Sequence, residues 1–328
     1  MGTVETARGA VPADALGVTL MHEHIFVLSP EIRQNWPDYP EGWDEERHMA
    51  AAVEKLARAK ADGIDTIVDL TVIGLGRYVP RVQRLAERTD VNIVVATGAY
   101  VLRDLPLYFH FRGPGTPQGG PEKLTEMFVR DLTEGVTQTG VKAGILKCVT
   151  DEAGLTRDVE RVLRAVAHAH LETGAPITTH THAGLRRGLD QQKVFAEEGV
   201  DLSRVVIGHS GDTDDYAYLE ELIANGSYLG MDRFGLETVP FGKRVEIVAE
   251  MCRRGHAPRM VLSHDTSCFS DLSDPARRAA TNPNWNWRHI PRDVLPALRD
   301  RGVTDEQIRQ MLVDNPRRIL AGSRCGSE

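Results

Sequence analysis

The 328-residue chain is poor in cysteine: Cys148, Cys252, Cys268 and Cys325 are scattered, and no two stand in a CxxC pair. A disulfide framework is therefore not expected, and reduced thiols in a cytoplasmic setting are. Basic charge is not in excess either. There are 47 Asp and Glu against 39 Lys and Arg, which leaves a formal net charge of -8. Phosphate binding draws on clustered cations, so nucleic acid is not expected as a partner. No apolar run approaches the ~20 residues that a helical bilayer span needs. The opening stretch MGTVETARGAVPADALG lacks a basic start followed by an apolar segment, so neither a secretory signal nor a membrane partner is expected. No GxGxxG opens a helix after the first apolar run, which leaves a dinucleotide-binding fold without support.

What is present is a repeated alternation. Short β-rich runs occur at Leu16–Phe26, Asp65–Thr71, Asn92–Tyr100, Val141–Val149, Pro176–Ala183, Arg204–Asp212, Ser227–Gly235 and Met260–Thr266. Helical spacing of apolar residues separates most of them. Met49, Val53, Leu56 and Ala57 mark Asp44–Lys60, and Val162, Leu163, Val166 and Ala167 mark Val159–Leu171. Further helices are predicted at Glu122–Glu134, Leu185–Glu198, Tyr216–Asn225, Val245–Arg254, Pro291–Arg301 and Asp305–Asp314, with capping signals at Ser273 and Thr304. Apolar strands alternating with amphipathic helices give a parallel sheet covered by helices. Eight such units predict a (β/α)8 TIM barrel formed as one domain over residues 1–328. The longest irregular stretches, Ser29–Trp43, Val101–Gly120 and Ser267–Ile290, all follow a strand. That is the face on which barrel enzymes carry their active sites.

Six residues stand at or just past the ends of these runs: His22, His24, Lys147, His180, His209 and Asp265. Strand side chains alternate, so His22 and His24 point the same way and can share a metal, with Glu23 opposite. Barrel strands converge on one rim, which brings the other four to the same mouth. A lysine inside a barrel is costly as an ammonium, and divalent metals beside it make it more so. Both effects push its pKa down, and a neutral amine can add CO2. The carbamate is an anionic ligand with two oxygens, able to bridge two metals. Two divalent cations, less the charges of a carbamate, Asp265 and a hydroxide, leave one positive charge, suited to a developing oxyanion. His180 and His182 share strand parity, and spacing does not choose between them. His264 faces opposite to Asp265 and is read as structural. His48, His168, His170 and His256 fall on helical segments, outside the site.

The segments GVTLMHEH, TIVDLTVIGLGRY, VVATGAY, GILKCVTDEAGLT, ITTHTHAGLRRGLDQQ, VVIGHSGDTDD, YLGMDRFG, VLSHDTSC and VDNPRRIL occur in this order through nearly the whole chain. In them the sequence resembles the phosphotriesterase branch of the amidohydrolase superfamily, and more narrowly the phosphotriesterase-like lactonases of actinobacteria. The resemblance implies that His22, His24 and Asp265 hold the more buried metal, and His180 and His209 the more exposed one. Carboxylated Lys147 and a hydroxide would bridge both. It selects His180 over His182, because the family's motif ends TTHT. It also implies two divalent metal ions per chain, zinc first, with cobalt, manganese or iron as alternatives.

Arg233 stands where the dedicated organophosphate triesterases carry a histidine. Tyr100 looks like the tyrosine beside the bridging hydroxide in the lactonases. The implied activity is hydrolysis of N-acyl homoserine lactones and of γ- and δ-lactones, a quorum-quenching chemistry, with side activity on organophosphates. Asp265 would take the hydroxide's proton and pass it to the leaving alkoxide, and Tyr100 and Arg233 would orient the ring. The substrate is then a small lactone or organophosphate. A homodimer is expected from the family, with Trp36, Tyr39 and Trp43 as contributors. Three other readings fit parts of this pattern. They are a primary phosphotriesterase acting on paraoxon or parathion, another amidohydrolase reaction, and a barrel that binds without catalysis; the last predicts a missing ligand, and all six are present.

Overall fold

The computed structural model describes residues 2–38 and 43–321, so Tyr39 and Cys325 lie outside the described residues. An antiparallel hairpin of β1 (Thr3–Thr6) and β2 (Gly9–Pro12), absent from the sequence-based expectation, comes first. Each of the eight expected runs then holds one strand. These are β3 (Thr19–Val27), β4 (Thr66–Asp69), β5 (Asn92–Gly98), β6 (Ile145–Thr150), β7 (Ile177–Thr181), β8 (Val205–Ile207), β9 (Tyr228–Met231) and β10 (Met260–Leu262). A further strand, β11 (Ser267–Ser270), lies in the stretch expected to be irregular and pairs parallel with β3. The sheet order is β10-β9-β8-β7-β6-β5-β4-β3-β11, all parallel.

The outermost strands, β10 and β11, are consecutive in the chain. Between them Asp265 N donates to His22 O at 3.0 Å, and His24 N donates to Thr266 O at 2.9 Å. The chain from β10 to β11 thus runs along β3 and closes the (β/α)8 barrel. The break at residues 263–266 is where Asp265 sits.

Two packed layers follow from strand alternation. Leu20, Ile67, Ile93, Leu146, Ile177, Val205, Leu229 and Leu262 face outward into the shell shared with the helices. Met21, Val68, Val94, Ile145, Val206, Tyr228 and Val261 face inward. The hairpin and the last helix, Asn315–Leu320, plug the end of this inner layer through Val4, Ile319 and Leu320.

Most predicted helices fall within two or three residues of their expected bounds, such as Glu45–Ala61 and Arg157–Thr173. Four corrections have physical causes. Pro291–Arg301 and Asp305–Asp314 each contain a widened turn, at Ile290–Val294 and Gln310–Asp314. Pro296 and Pro316 follow and cannot donate the backbone bond that a regular turn requires. The helix Pro275–Thr281 is capped by Asp274, whose side chain accepts from Arg277 N at 2.6 Å, rather than by Ser273. His256 lies in the turn after the helix Phe241–Arg253. The expected irregular stretches also hold the short helices Pro30–Asn35 and Leu107–Phe111. Thr304 does cap: it accepts from Gln307 N at 3.2 Å while Gln307 Oε1 accepts from Thr304 N at 3.0 Å. Such a reciprocal cap contributes about 1 kcal/mol. No helix among the described residues is long and apolar enough to cross a membrane.

Candidate metal centre

The predicted ligands reach the barrel mouth by three local devices: strand parity, a bulge and left-handed turns. Lys147 is not at a strand end. It is the third residue of β6, two on from inward-facing Ile145, and is buried. Gly98 makes room beside it: a Cβ at that position would lie 1.9 Å from Lys147 O. His180 follows the parity of β7.

His22 breaks the alternation. Leu20 packs outward and Met21 inward, yet His22 also turns inward, against Lys147. The pairing of β3 with β4 slips between Leu20 and Glu23, and this bulge re-aims a side chain, as bulges near active sites do. His209 and Asp265 lie two and three residues beyond their strands, with φ of 59° and 56°. A left-handed conformation costs a non-glycine residue about 1–2 kcal/mol. Here it turns both side chains back over the barrel.

The six converge. Lys147 Nζ lies 2.8 Å from His22 Nε2 and donates to Thr179 O at 3.2 Å. Asp265 Oδ1 lies 3.2 Å from His24 Nε2 and 3.7 Å from His22 Nε2. Asp265 Oδ2 lies 3.8 Å from His209 Nε2, which is 2.8 Å from His180 Nδ1.

The opposite nitrogen of each ring is held by an acceptor. Asp232 takes His22 Nδ1 on Oδ2 and His209 Nδ1 on Oδ1, both at 2.8 Å. Thr71 Oγ1 donates to Asp69 at 2.6 Å and so accepts from His24 Nδ1 at 3.0 Å. Asp151 Oδ2 lies 2.5 Å from His180 Nε2. These partners fix the tautomers, leaving a lone pair on each inward nitrogen, as metal-binding histidines require. The donor set therefore fits divalent metal. His22, His24 and Asp265 form one group able to hold an ion. His22, His209 and Asp232 form another by proximity, but both Asp232 oxygens already serve ring N–H groups, so Asp232 is a support for ligands.

Burial sets the charge states. It pushes the Lys147 amine down to about 8 and His180 down to about 4, and it lowers His22 and, further, His209. Burial alone would raise Asp265; the His209, His24, His22 and Arg233 groups around it prevail and hold its carboxyl well below the usual range. Asp151, bonded by His180, is pulled down to about 2.

Arg233 donates from Nε to Asp265 Oδ2 at 3.1 Å and from Nη1 to Asp212 Oδ2 at 2.8 Å. The Tyr100 ring meets His180 edge-on, centroids 5.4 Å apart, and burial raises its hydroxyl pKa. Both lie two residues past their strands.

Two further histidines near the site have other partners. His182 caps a turn, accepting from Leu185 N at 3.2 Å. His264 is buried on the far side, bonded to Glu23 at 2.8 Å. Asp232 and Asp151 stand outside the six residues expected from the sequence. Parity pointed to both: Asp232 stands four residues after inward Tyr228, and Asp151 four after Lys147.

The model of the phosphotriesterase family matches residues 2–320. A phosphotriesterase homology protein of Mycobacterium tuberculosis is 63% identical over 322 residues, covering 98% of each chain. An aryldialkylphosphatase of Saccharolobus solfataricus is 36% identical over 317 residues, covering 96% of this chain and 98% of its own. A solved structure of the phosphotriesterase from Mycobacterium tuberculosis superposes with a TM-score of 0.96 at 61% identity, covering 99% of this chain and all of that one.

Proposed function

The chain belongs to the phosphotriesterase family and is a hydrolase of ester or phosphoester bonds, and from that premise we propose that it is a metal-dependent lactonase. Its substrates would be N-acyl homoserine lactones and related γ- and δ-lactones, with slower hydrolysis of organophosphates. His22, His24 and Asp265 would hold the more buried of two divalent ions, zinc first. His180 and His209 would hold the other, and Lys147, carboxylated by CO2, would join them. Bound there, such ions supply hydroxide at neutral pH and polarise a carbonyl or phosphoryl oxygen.

The chain's own groups do the rest. Asp232, Thr71 and Asp151 hold the outer nitrogens of the four imidazoles and so keep the rings aimed. Asp265 is the proposed proton acceptor, at Oδ2, the oxygen bonded to Arg233; it then delivers that proton to the leaving alkoxide. Tyr100, edge-on to His180, forms one wall of the lactone pocket.

The observation that carries the lactonase reading is Arg233, fixed between Asp265 and Asp212 where the resemblance places a histidine in dedicated organophosphate triesterases. The relatives' names favour the alternative, a primary phosphotriesterase. Turnover of an acyl homoserine lactone against paraoxon, on the same metal-loaded protein, tests the two. A kcat/KM higher for paraoxon would overturn the lactonase reading.

A homodimer is also proposed. Trp36 is exposed and available to it, whereas Trp43 stacks on His48 and packs against Phe26 and Phe269. Light scattering on the eluted protein measures the state.

A further inference from the structure

One side chain, Arg244, ties the loop after β8 to the loop after β9. It is the fourth residue of the helix Phe241–Arg253 and is only 3% exposed. All three of its side-chain nitrogens donate. Nη1 reaches Gly211 O at 3.3 Å and Asp212 Oδ1 at 2.5 Å. Nη2 reaches Thr238 Oγ1 at 3.1 Å and Leu236 O at 3.2 Å, and Nε reaches Leu236 O at 3.3 Å.

Stability does not account for this placement. A cation in the first turn of a helix opposes the helix dipole. A buried ion pair recovers little more than its desolvation cost, and an apolar residue of similar size often serves as well. The role of Arg244 is geometric. Asp212 accepts from Arg244 on Oδ1 and from Arg233 on Oδ2, the latter at 2.8 Å. Arg233 in turn donates from Nε to Asp265 Oδ2 at 3.1 Å. Carboxylate and guanidinium therefore alternate along Asp265, Arg233, Asp212 and Arg244. With both oxygens engaged by charged donors, the Asp212 carboxylate is fixed in plane and direction. Arg244 itself bonds to none of the six predicted metal ligands.

We infer that Arg244 is a positioning residue: through Asp212 it holds Arg233 against Asp265, and it couples that arrangement to the loop after β9. The inference rests on the reading of Asp265 and Arg233 as site residues, not on which ester is hydrolysed.

Arg244→Gln, Arg233→Gln and the double variant are compared in the full-length, metal-loaded protein. The readouts are kcat/KM, on whichever of paraoxon and an acyl homoserine lactone the wild type turns over faster, and metal content by elemental analysis. Removing a partner directly behind a metal ligand lowers activity about 10–100-fold. Arg244 stands further back, so Arg244→Gln is expected to lower kcat/KM about tenfold, the low end of that range, with metal content unchanged. Because Arg244 acts through Arg233, the double variant is expected to be no slower than Arg233→Gln alone. Independent effects would multiply instead. Arg244→Lys keeps the buried charge but loses the planar fork, and is expected to lower kcat/KM about threefold. It runs the same cycle if Arg244→Gln fails to fold.

Three results overturn the inference alone while Arg233→Gln is impaired: wild-type kcat/KM in the Arg244 variant, loss of metal in step with activity, or multiplied losses in the double variant. Wild-type kcat/KM in Arg233→Gln overturns the site reading, and the inference with it.

Discussion

Lys147 Nζ lies 2.8 Å from His22 Nε2, and both side chains are buried. Two basic groups at that distance and depth cannot both hold a proton, since each desolvates and repels the charge of the other. Burial lowers both pKa values, that of Lys147 to about 8, and the Lys147 charge lowers that of His22 further, which eases loss of the amine's proton toward neutral pH. This is the chemistry that a carbamate on Lys147 requires.

Lys147→Met is expected to lose bound metal and turnover together, as measured by elemental analysis and lactone hydrolysis. A short added carboxylate should restore part of both. The carbamate assignment fails if the variant keeps two ions per chain and wild-type turnover.

Asp232→Asn tests the support under His22 and His209. Asp232 accepts from the Nδ1 of each ring and from His209 N. An amide offers one oxygen and sets a donor against the other ring. Loss of such a partner weakens metal binding about 10–100-fold. Competition with a chromophoric chelator reads this directly, and unchanged affinity would remove Asp232 from the ligand support.

Glu23→Gln probes how the barrel closes. The Glu23 Oε1 atom accepts from Ser263 Oγ, His264 N and His264 Nδ1, and Oε2 accepts from Thr266 N and Trp287 Nε1. An amide nitrogen on either side would face donors. Leaving buried groups unsatisfied costs about 1–3 kcal/mol, more where charge is involved. Urea denaturation should show a loss of that order, and no loss would mean that the 263–266 break holds itself.

Removing metal with a chelator should lower the melting temperature. A ligand bound only by the folded state stabilises it by about 4 kcal/mol when present at about 1,000 times its Kd. Zinc with bicarbonate should restore the original value faster than zinc alone. Equal recovery without bicarbonate would count against CO2 as a participant.

Arg233→His should lower kcat/KM on a lactone more than on paraoxon, because it removes the two-carboxylate clamp on Asp265 and Asp212. A parallel fall on both substrates would assign Arg233 to general support of Asp265.

The residue chemistry and the period of the chain determined much of this. Runs such as ITTHT and ILKCVT announce buried strands, and alternation from Ile145 turns Lys147 inward before any contact is known. Spacing also marked His22 and His24 as a pair. These are local properties, fixed by backbone geometry within a few residues.

Other features depend on what lies far along the chain. The bulge that aims His22 arises from the slip of β3 against β4. Strand β11 exists because Ser267–Ser270 finds a free edge of β3, about 240 residues away. The left-handed turns at His209 and Asp265 are tolerated because surrounding contacts outweigh the local strain. The helix Glu45–Ala61 meets the chain after β10 only in the folded protein, where Lys55 Nζ donates to Cys268 O, more than 200 residues later. A single-sequence pattern encodes which residues prefer a strand and which face they take. It does not encode which distant partner completes a ladder or shares a wall, because that is decided by packing.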